Sequence, residues 1–173
     1  MRTLALTITI KRANSLNMNT TKYHLQALKQ FFDRHKIATL DQLRENLGNP
    51  ARCTVFRKLS ELHYLSSYSH RGKYYTLRSI ARFSEKGLWS FRSVCFSRFG
   101  NLLQTCQAFV DHSEAGYSAG ELKDNLQVKT KHALTKLVRN GDLARETFDS
   151  VYIYLCARKD VAGRQINARK ALL

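Results

Sequence analysis

The first half of the chain has hydrophobic residues at helical spacing in consecutive segments. Residues 23–36 predict an amphipathic helix that turns its apolar side toward a core. Thr39 and Gln42 have the spacing of a capping box, so a second helix is expected to begin there and to end at Gly48. Short helices that follow one another so closely indicate a small domain built around a modest core.

A third helix and a pair of strands follow. The helix is predicted over residues 50–64, because Asn49 can cap it and Pro50 suits its first turn. Its apolar stripe should face the core and contains Val55, Leu59 and Leu62. Residues 64–77 then predict two short strands around a tight turn at Gly72. Two helices separated by so few residues must cross steeply, which predicts a helix-turn-helix followed by a β-hairpin.

The second half of the chain repeats this pattern. The sequence LRENL of residues 43–47 is matched by LKDNL of residues 122–126. After a slip of one residue, the copies align at an offset of 78, which places Leu59 on Leu137. Internal repeats reveal a structural unit, so two similar units are expected. The elements predicted for the second unit are a helix at 100–112, a capped helix from Ser118, a helix at 130–140, a hairpin at 143–155 that turns at 148–150, and a basic helix within 160–173.

The charge balance indicates a polyanionic partner. Twenty-nine lysine and arginine residues against 13 aspartate and glutamate residues give a formal net charge of +16 and a pI near 10.1. A field of that sign concentrates nucleic acid at the surface, so double-stranded DNA is the expected partner. A ribosome-like protein or a membrane-surface protein is the alternative class.

The sequence does not predict a membrane span or a secretory signal. No segment has the roughly 20 apolar residues that a span requires. The apolar run within residues 1–10 lacks a small-residue cleavage site and is followed by Lys11 and Arg12. We therefore expect a cytoplasmic, nucleoid-associated protein with no membrane partner.

The reactive residues do not form the pattern of an enzyme or a metal site. Cys53, Cys95, Cys106 and Cys156 lie far apart, and no two of them form a C-x-x-C pair. The sequence also lacks a phosphate-cradling glycine loop, a nucleophile elbow and closely spaced carboxylates of metal-site character. We therefore expect no catalytic activity, no cofactor and no bound metal.

The solvent side of the third predicted helix carries residues suited to the major groove. A groove-binding helix needs short polar side chains for close approach and an arginine that can bond guanine or phosphate. The candidates on this helix are Arg52, Thr54, Arg57 and Lys58. The cations of the hairpin tip, which would reach the backbone or the minor groove, are His70, Arg71 and Lys73. An ordinary solvated helix face is the alternative interpretation.

The corresponding helix of the second half is also basic. Its candidate DNA-binding residues are Lys129, Lys131, His132, Thr135, Lys136 and Arg139. The tip of the second hairpin, residues 148–150, carries no cation, which argues against a direct DNA contact there. In the stretch that connects the two halves, Trp89, Phe91 and Phe96 favour an apolar core over a base-stacking platform.

Residues 23–77 resemble the winged helix-turn-helix family of DNA-binding domains. The resemblance rests on Thr54–Leu59, Leu62 and Tyr64–Leu65, which are similar to the recognition helix and the first wing strand of bacterial regulators in that family. It implies a recognition helix in the major groove with a wing alongside. The implied fold is α+β but mainly α, with tandem winged helix-turn-helix units that each contain three helices and a β-hairpin wing.

The repeat extends this interpretation to most of the chain. The predicted divisions are a flexible or strand-like arm at 1–22, a first unit at 23–77, a basic and aromatic connector at 78–98, a second unit at 99–157 and a basic C-terminal helix at 158–173. This organisation predicts a sequence-specific transcriptional regulator that binds DNA as a monomer or a homodimer. A protein partner would bind the second unit or the C-terminal helix.

Two alternative functions stay open at this stage. Tandem winged helices also resemble plasmid replication initiators, so the chain could be an accessory DNA-binding protein for replication or transposition of a mobile element. The other alternative is a structural subunit that bridges proteins, as tandem winged helices do in chromosome-segregation complexes. A bridging subunit has no need of this charge and should expose apolar patches on its helices.

Overall fold

The computed structural model of the protein describes residues 25–172, which form two compact units. The first unit extends to Ser66 and includes Lys73–Arg82. The second unit contains Ser67–Gly72 and continues from Phe83. The arm predicted for residues 1–22, and the first two residues of the helix predicted from residue 23, lie outside the described residues.

The first unit consists of three helices and a three-stranded antiparallel sheet. Its elements are α1 (25–35), β1 (Ala38–Thr39), α2 (Leu40–Asn46), α3 (Arg52–Glu61), β2 (Tyr64–Ser66) and β3 (Tyr74–Leu77). Strand β3 lies in the middle of the sheet, with β1 and β2 at its edges. Thr39 pairs with Tyr74 on one side of β3, and Ser66 pairs with Tyr75 on the other. The sheet therefore joins the strand before α2 to the hairpin after α3.

Local hydrogen bonds define both ends of α2. The Thr39 hydroxyl accepts a hydrogen bond from the Gln42 N–H, and the Gln42 side chain accepts one from the Thr39 N–H, so the predicted capping box is confirmed. At the other end, the Asn49 N–H donates to the Arg44 carbonyl at 2.7 Å. Asn49 does not cap α3 as predicted: α3 begins at Arg52, later than predicted, and Ala51 precedes it without a side-chain cap.

A hydrophobic cluster holds the first unit together. It draws on all three helices and on the sheet, and contains Leu28, Phe32, Ala38, Leu43, Leu47, Val55, Leu59 and Leu77. Val55 and Leu59, which the helical spacing predicts to face the core, are fully buried, whereas Leu62 is half-buried. Burial of one such aliphatic or phenyl side chain stabilises the fold by about 1.5–3 kcal/mol.

The second unit combines a separate hairpin with four helices and a larger sheet. Its elements in chain order are β4 (Leu88–Phe91), β5 (Val94–Ser97), α4 (Leu102–Asp111), β6 (Tyr117–Ser118), α5 (Ala119–Leu126), α6 (Lys131–Asn140), β7 (Leu143–Phe148), β8 (Val151–Cys156) and α7 (Lys159–Lys170). Strands β4 and β5 form a two-stranded sheet, and β8 lies between β6 and β7 in a three-stranded one. The core of this unit includes Cys106, Phe109, Val110, Leu122, Leu126, Leu134, Leu137, Leu143 and Tyr154.

A buried glutamine attaches the C-terminal helix α7 to this core. Gln165 is 1% exposed, and its side-chain oxygen accepts a hydrogen bond from the Cys156 N–H at 2.9 Å. Its amide nitrogen donates to the carbonyls of Val110 and Ser113 at 2.7 and 3.0 Å. A buried amide that left these groups unpaired would cost about 1–3 kcal/mol, so the complete set of bonds fixes the position of α7.

A second polar contact joins α7 to the start of α5. Ser118 and Glu121 form the predicted capping box, which is confirmed. Arg169 of α7 donates to both carboxylate oxygens of Glu121, at 2.9 and 3.0 Å, and to the carbonyls of Ala115 and Gly116. The hydrogen bonds from Arg169 are the main reason why the pKa of Glu121 falls to about 2. The same carboxylate therefore caps α5 and binds α7.

The fold differs from the mainly helical one that was predicted. Residues 25–172 contain seven α-helices and eight strands in three antiparallel sheets, with about 48% of residues helical and 21% in strands, so the fold is mixed α+β. The prediction of tandem winged helix-turn-helix units, each of three helices and a hairpin wing, is therefore wrong. Strands β1 and β6 turn both hairpins into three-stranded sheets, and β4, β5 and α7 enlarge the second unit. The sequence predicts a short strand-like step at residues 37–38, near β1, whereas the two-residue β6 carries too little periodicity to be recognised.

The two units repeat at an offset of 79 residues. The pair Ala38–Tyr75 of the first sheet recurs as Tyr117–Tyr154 in the second, and both partners are 79 residues later. The starts of α3 and α6, and those of β2 and β7, are separated by the same number. The offset of 79 is that of the matched motifs at 43–47 and 122–126, so the predicted slip to an offset of 78 in the later segments is wrong by one residue. Such a shift rotates every aligned helical position by about 100° around the helix, so it changes which exposed residues correspond.

The segment between β2 and β3, predicted as a wing tip, belongs by its contacts to the second unit. Tyr68 is 7% exposed, and its N–H donates to the Cys95 carbonyl at 2.9 Å. Its hydroxyl donates to the Leu126 carbonyl at 3.1 Å, and the Ser69 hydroxyl accepts from the Cys95 N–H at 2.8 Å. The 3-10 turn His70–Gly72 therefore directly follows two residues, Tyr68 and Ser69, that are buried and hydrogen-bonded.

Candidate nucleic-acid interface

Helix α3 exposes a polar stripe on the side away from its core contacts. Val55 and Leu59 are fully buried, whereas Cys53, Arg57 and Ser60 are exposed. These three residues lie at i, i+4 and i+7, so they share one face of the helix. Arg57 stands in the middle of this α3 stripe between two short side chains. That arrangement lets a polyanionic surface approach the guanidinium closely.

The other residues predicted on α3 are not all part of this stripe. Arg52 is exposed at the start of the helix, and Thr54 is half-buried. Lys58 is only 4% exposed and is buried on the core side. The repeat accounts for this burial, because the position 79 residues later is the buried Leu137. Lys58 therefore does not lie on the exposed surface where a DNA contact was predicted.

Helix α6 exposes a more positive stripe than α3. All the residues predicted in this region are exposed: Lys129, Lys131, His132, Thr135, Lys136 and Arg139. Of these, His132, Lys136 and Arg139 lie at i, i+4 and i+7 and form the α6 stripe, which corresponds to the α3 stripe at the offset of 79. The Thr135 hydroxyl donates its hydrogen to the Lys131 carbonyl at 2.9 Å, so this hydroxyl can only accept further hydrogen bonds.

The cations of the two stripes form no salt bridge within residues 25–172. Among residues 25–172, the salt bridges join Arg164 to Asp160 and Arg169 to Glu121. No cation of α3 or α6 forms a salt bridge within this part of the chain. In a protein with a formal net charge of +16, these side chains add to a positive surface potential.

The predicted cations of the β2–β3 loop are accessible. His70, Arg71 and Lys73 are all exposed. His70 and Arg71 adopt φ values of 51° and 56°, in the left-handed region that non-glycine residues rarely occupy. A strained backbone of this kind persists where the surrounding structure holds it in place. Here the hydrogen bonds of the buried residues Tyr68 and Ser69 fix the chain just before the turn. By their contacts, His70 and Arg71 belong to the second unit, whereas Lys73 belongs to the first.

The sequence did not reveal Arg145 as a candidate, although it is an exposed cation held against an aromatic ring. The guanidinium carbon of Arg145, on β7, lies 4.1 Å from the ring centre of Tyr152, on β8. Both side chains are exposed, so the ring orients the guanidinium while its N–H groups face solvent. The two-residue turn at Asp149 and Ser150, with φ values of 45° and 67°, was the available signal. The pairing that it dictates places residues 145 and 152 on one face of the hairpin.

No three or more His, Cys, Asp or Glu side chains in residues 25–172 group as a metal site. Cys106 and Cys156 are buried, and burial raises the pKa of the Cys106 thiol to about 12, so this thiol stays protonated. Cys53 is exposed on the α3 stripe.

Comparison with known proteins gives no relative from which a function could be transferred. No known protein family, curated protein or solved structure matches this chain. Within residues 25–172, no helix is both long enough and apolar enough to cross a membrane.

Proposed function

We propose that this protein binds double-stranded DNA through the α3 and α6 stripes and acts as a sequence-specific transcriptional regulator. The observation that carries the proposal is the α6 stripe, on which exposed Lys136 and Arg139 have no acidic partner among the described residues. An exposed helix face of this charge is suited to a groove bounded by phosphates. The resemblance of Thr54–Leu59 to a recognition helix is independent of the number of strands, and it supports the same role for α3.

The two stripes are suited to different tasks. Arg57 has a planar guanidinium that can form two parallel hydrogen bonds to the O6 and N7 atoms of guanine, and its short neighbours permit close approach. Lys136 is a flexible point charge that suits phosphate. In the proposed complex, α3 contributes more to sequence reading and α6 more to affinity.

The distribution of exposed apolar residues favours DNA over a protein-bridging role for these helices. Among residues 25–172, the large exposed hydrophobic side chains are Val151, Tyr152 and Leu172, and none of them lies on α3 or α6. A helix that docked on a protein partner would present an apolar patch, whereas the α3 and α6 stripes present polar and charged groups.

The salt dependence of binding to DNA selected from random sequence tests the proposal. Neutralising about 6–10 phosphates should reduce the affinity by roughly 10³–10⁵ between about 50 and 200 mM salt. Fluorescence anisotropy of a labelled duplex, with unselected DNA as competitor, gives the affinity and the preference together. A flat plot of log affinity against log salt, or equal affinity for selected and unselected DNA, would contradict the proposal.

Two triple variants test whether the α3 and α6 stripes form the DNA-binding surface. Arg57→Ala, Lys136→Ala and Arg139→Ala together remove three charges from the stripes. The matched control removes three exposed charges elsewhere with Lys29→Ala, Arg34→Ala and Lys123→Ala. We expect the first variant to lose the preference for selected DNA and about three units of salt slope, and the control to keep the preference. Equal losses in both variants would mean that binding follows net charge and not the stripes.

A further inference from the structure

A cavity of about 310 Å³ opens in the second unit, and no residue of the α6 stripe lines it. It lies beside the C-terminal part of α4, and its walls include the turn before β4 and the strand β6. Three aromatic side chains, Phe99, Phe109 and Tyr117, line it together with Glu85, Lys86 and His112. The volume is at the lower end of the range of about 300–1,000 Å³ that small-molecule sites occupy.

The aromatic wall of the cavity is already ordered in the fold. Phe109 is 9% exposed and belongs to the core of the unit. Its ring meets Phe99 edge-on, with centroids 6.3 Å apart, and lies 6.4 Å from the ring of Tyr117. His112 stacks on Phe99 at 6.2 Å with an interplanar angle of 29°. A planar apolar group that enters the cavity therefore meets ring faces and edges that need no rearrangement.

The polar side chains around the cavity have unused hydrogen-bonding capacity. Lys86 donates to the Asn125 side-chain oxygen at 2.8 Å, which uses one of its three ammonium hydrogens. Glu85 forms no hydrogen bond or salt bridge with another side chain among residues 25–172. The Nδ1 atom of His112 lies 2.6 Å from the Ala108 carbonyl, which can only accept, so Nδ1 carries the hydrogen and Nε2 remains available.

We infer that this cavity binds a small aromatic zwitterion, that is, a planar ring with one ammonium and one carboxylate group, as in a free aromatic amino acid. The ring would occupy the space between Phe99, Phe109 and Tyr117. The carboxylate would bind the Lys86 ammonium, and the ligand ammonium would bind Glu85. A ligand of a single charge would satisfy one of these adjacent residues and repel the other. This inference does not depend on DNA binding.

Titration of the full-length protein with defined probes tests the ligand class. The probes are L-phenylalanine, L-tyrosine and L-tryptophan, together with phenylacetate, which lacks the ammonium, and phenethylamine, which lacks the carboxylate. We expect saturable NMR shifts at Phe109, His112 and Tyr117 with at least one amino acid, and binding at least about tenfold weaker for both singly charged analogues. Absence of a saturable shift with every amino acid would overturn the site. Equal binding of either analogue would overturn the assignment of a zwitterion.

Two variants tie the binding to this cavity. Ala108 also lines the cavity and is half-buried on α4, so Ala108→Leu fills the space with a residue that helices accept well. Lys86→Met removes the ammonium at an exposed position without shortening the side chain much. Each should weaken amino-acid binding by at least about tenfold. The controls Ala162→Leu and Lys123→Met, made outside the cavity, should bind like wild type. Retention of full affinity by both cavity variants would overturn the site.

Discussion

The two units of this protein share a backbone plan but differ in the chemistry of their exposed helices. At the offset of 79, Arg57 of α3 corresponds to Lys136 of α6, and both are exposed. Ser60 corresponds to Arg139, so α6 gains a cation where α3 has a hydroxyl. Core positions must remain shielded from water, whereas exposed positions are free to change. In the proposed complex with DNA, one scaffold would therefore present a stripe suited to reading and a stripe suited to anchoring.

The units also differ in how their second helices are capped. Gln42 and Glu121 occupy the same place in the two capping boxes. Among the described residues, the neutral amide of Gln42 bonds only to Thr39 at the start of α2, whereas the carboxylate of Glu121 also binds Arg169 of α7. The second unit therefore depends on a charged contact that the corresponding box of the first unit does not make.

The largest expected effect is that of Arg169→Ala on the second unit. The change removes the hydrogen bonds to Glu121 and leaves the carbonyls of Ala115 and Gly116 without their donor. We expect a loss of about 2–4 kcal/mol in the free energy of unfolding of this unit. Trp89, the one tryptophan of the chain, lies in the second unit and reports its unfolding in urea by fluorescence.

The control for this experiment is Arg164→Ala. Arg164 faces Asp160 at 3.7 Å on the exposed side of the same helix, and such a pair contributes about 0–1 kcal/mol. Hydrogen exchange should show that amides of α2 keep their protection in both variants. Equal destabilisation by the two variants would contradict the special role of the contact with Glu121.

The second prediction separates reading from anchoring. Arg57→Ala should cost about 1–3 kcal/mol on the selected DNA site and relax its sequence preference, because a bidentate contact to a base is lost. Lys136→Ala should weaken selected and unselected DNA alike and reduce the salt slope by about one. Arg71→Ala and Lys73→Ala should also weaken all DNA nearly equally. Anisotropy titrations on both DNA types measure these effects.

Arg34→Ala is the matched control for these variants, since Arg34 is exposed on α1 outside both stripes. It should change neither the preference nor the affinity for the selected site appreciably. If Arg57→Ala left both kinds of DNA binding unchanged, α3 would not be the reading helix.

The third prediction concerns acid. The pKa of Glu121 is about 2 in the folded protein, below its ordinary value of 4.5, so the folded state binds this proton less readily than the unfolded state. The stability that this group contributes is fully present above about pH 4.5 and is lost as the pH falls toward 2. Because the carboxylate is 43% exposed and the pair is screened, we expect no more than about 1 kcal/mol.

Variants that exchange the two capping residues sharpen this test. Glu121→Gln gives the second unit the residue found at Gln42, and it should remove this part of the acid dependence of the urea midpoint followed by Trp89. Gln42→Glu should not create an equal dependence in the first unit, because among residues 25–172 no arginine hydrogen-bonds to the Gln42 side chain. An unchanged acid profile in Glu121→Gln would assign the dependence to other groups.

Local signals in the sequence predicted much of the secondary structure but not its assembly. The capping boxes at Thr39 and Ser118 depend on residues three positions apart, so the spacing alone identifies them. The turn at residues 148–150 was likewise predictable. The β2–β3 loop was not, because its burial results from Tyr68 and Ser69 bonding to residues far away in the sequence. Long-range contacts of this kind leave no periodic trace in the local pattern.

The residues of the candidate interface were likewise only partly predictable from the sequence. Helical spacing identified Arg57 and the exposed cations of α6, because a core-facing stripe determines which side faces solvent. Lys58 was misplaced because a lysine at the margin of a stripe is assigned to solvent by its polarity. Only its correspondence with Leu137, which requires the offset of 79 found in the sheets, reveals the buried position.

The smallest expected effect is that of Lys58→Leu, which gives the first unit the residue that the second has at this place. Because Lys58 is 4% exposed, a leucine there should be neutral or should stabilise the first unit by up to about 1 kcal/mol, as measured by exchange of α2 and α3 amides. The affinity for DNA and its salt slope should stay as in wild type, whereas the control Arg57→Leu should lower both. A salt slope reduced by about one in Lys58→Leu would mean that this ammonium reaches a phosphate after all. In that case the Lys58 side chain would have to leave its buried position when DNA binds. Lys58 would then differ in its role from Leu137, the corresponding residue of α6.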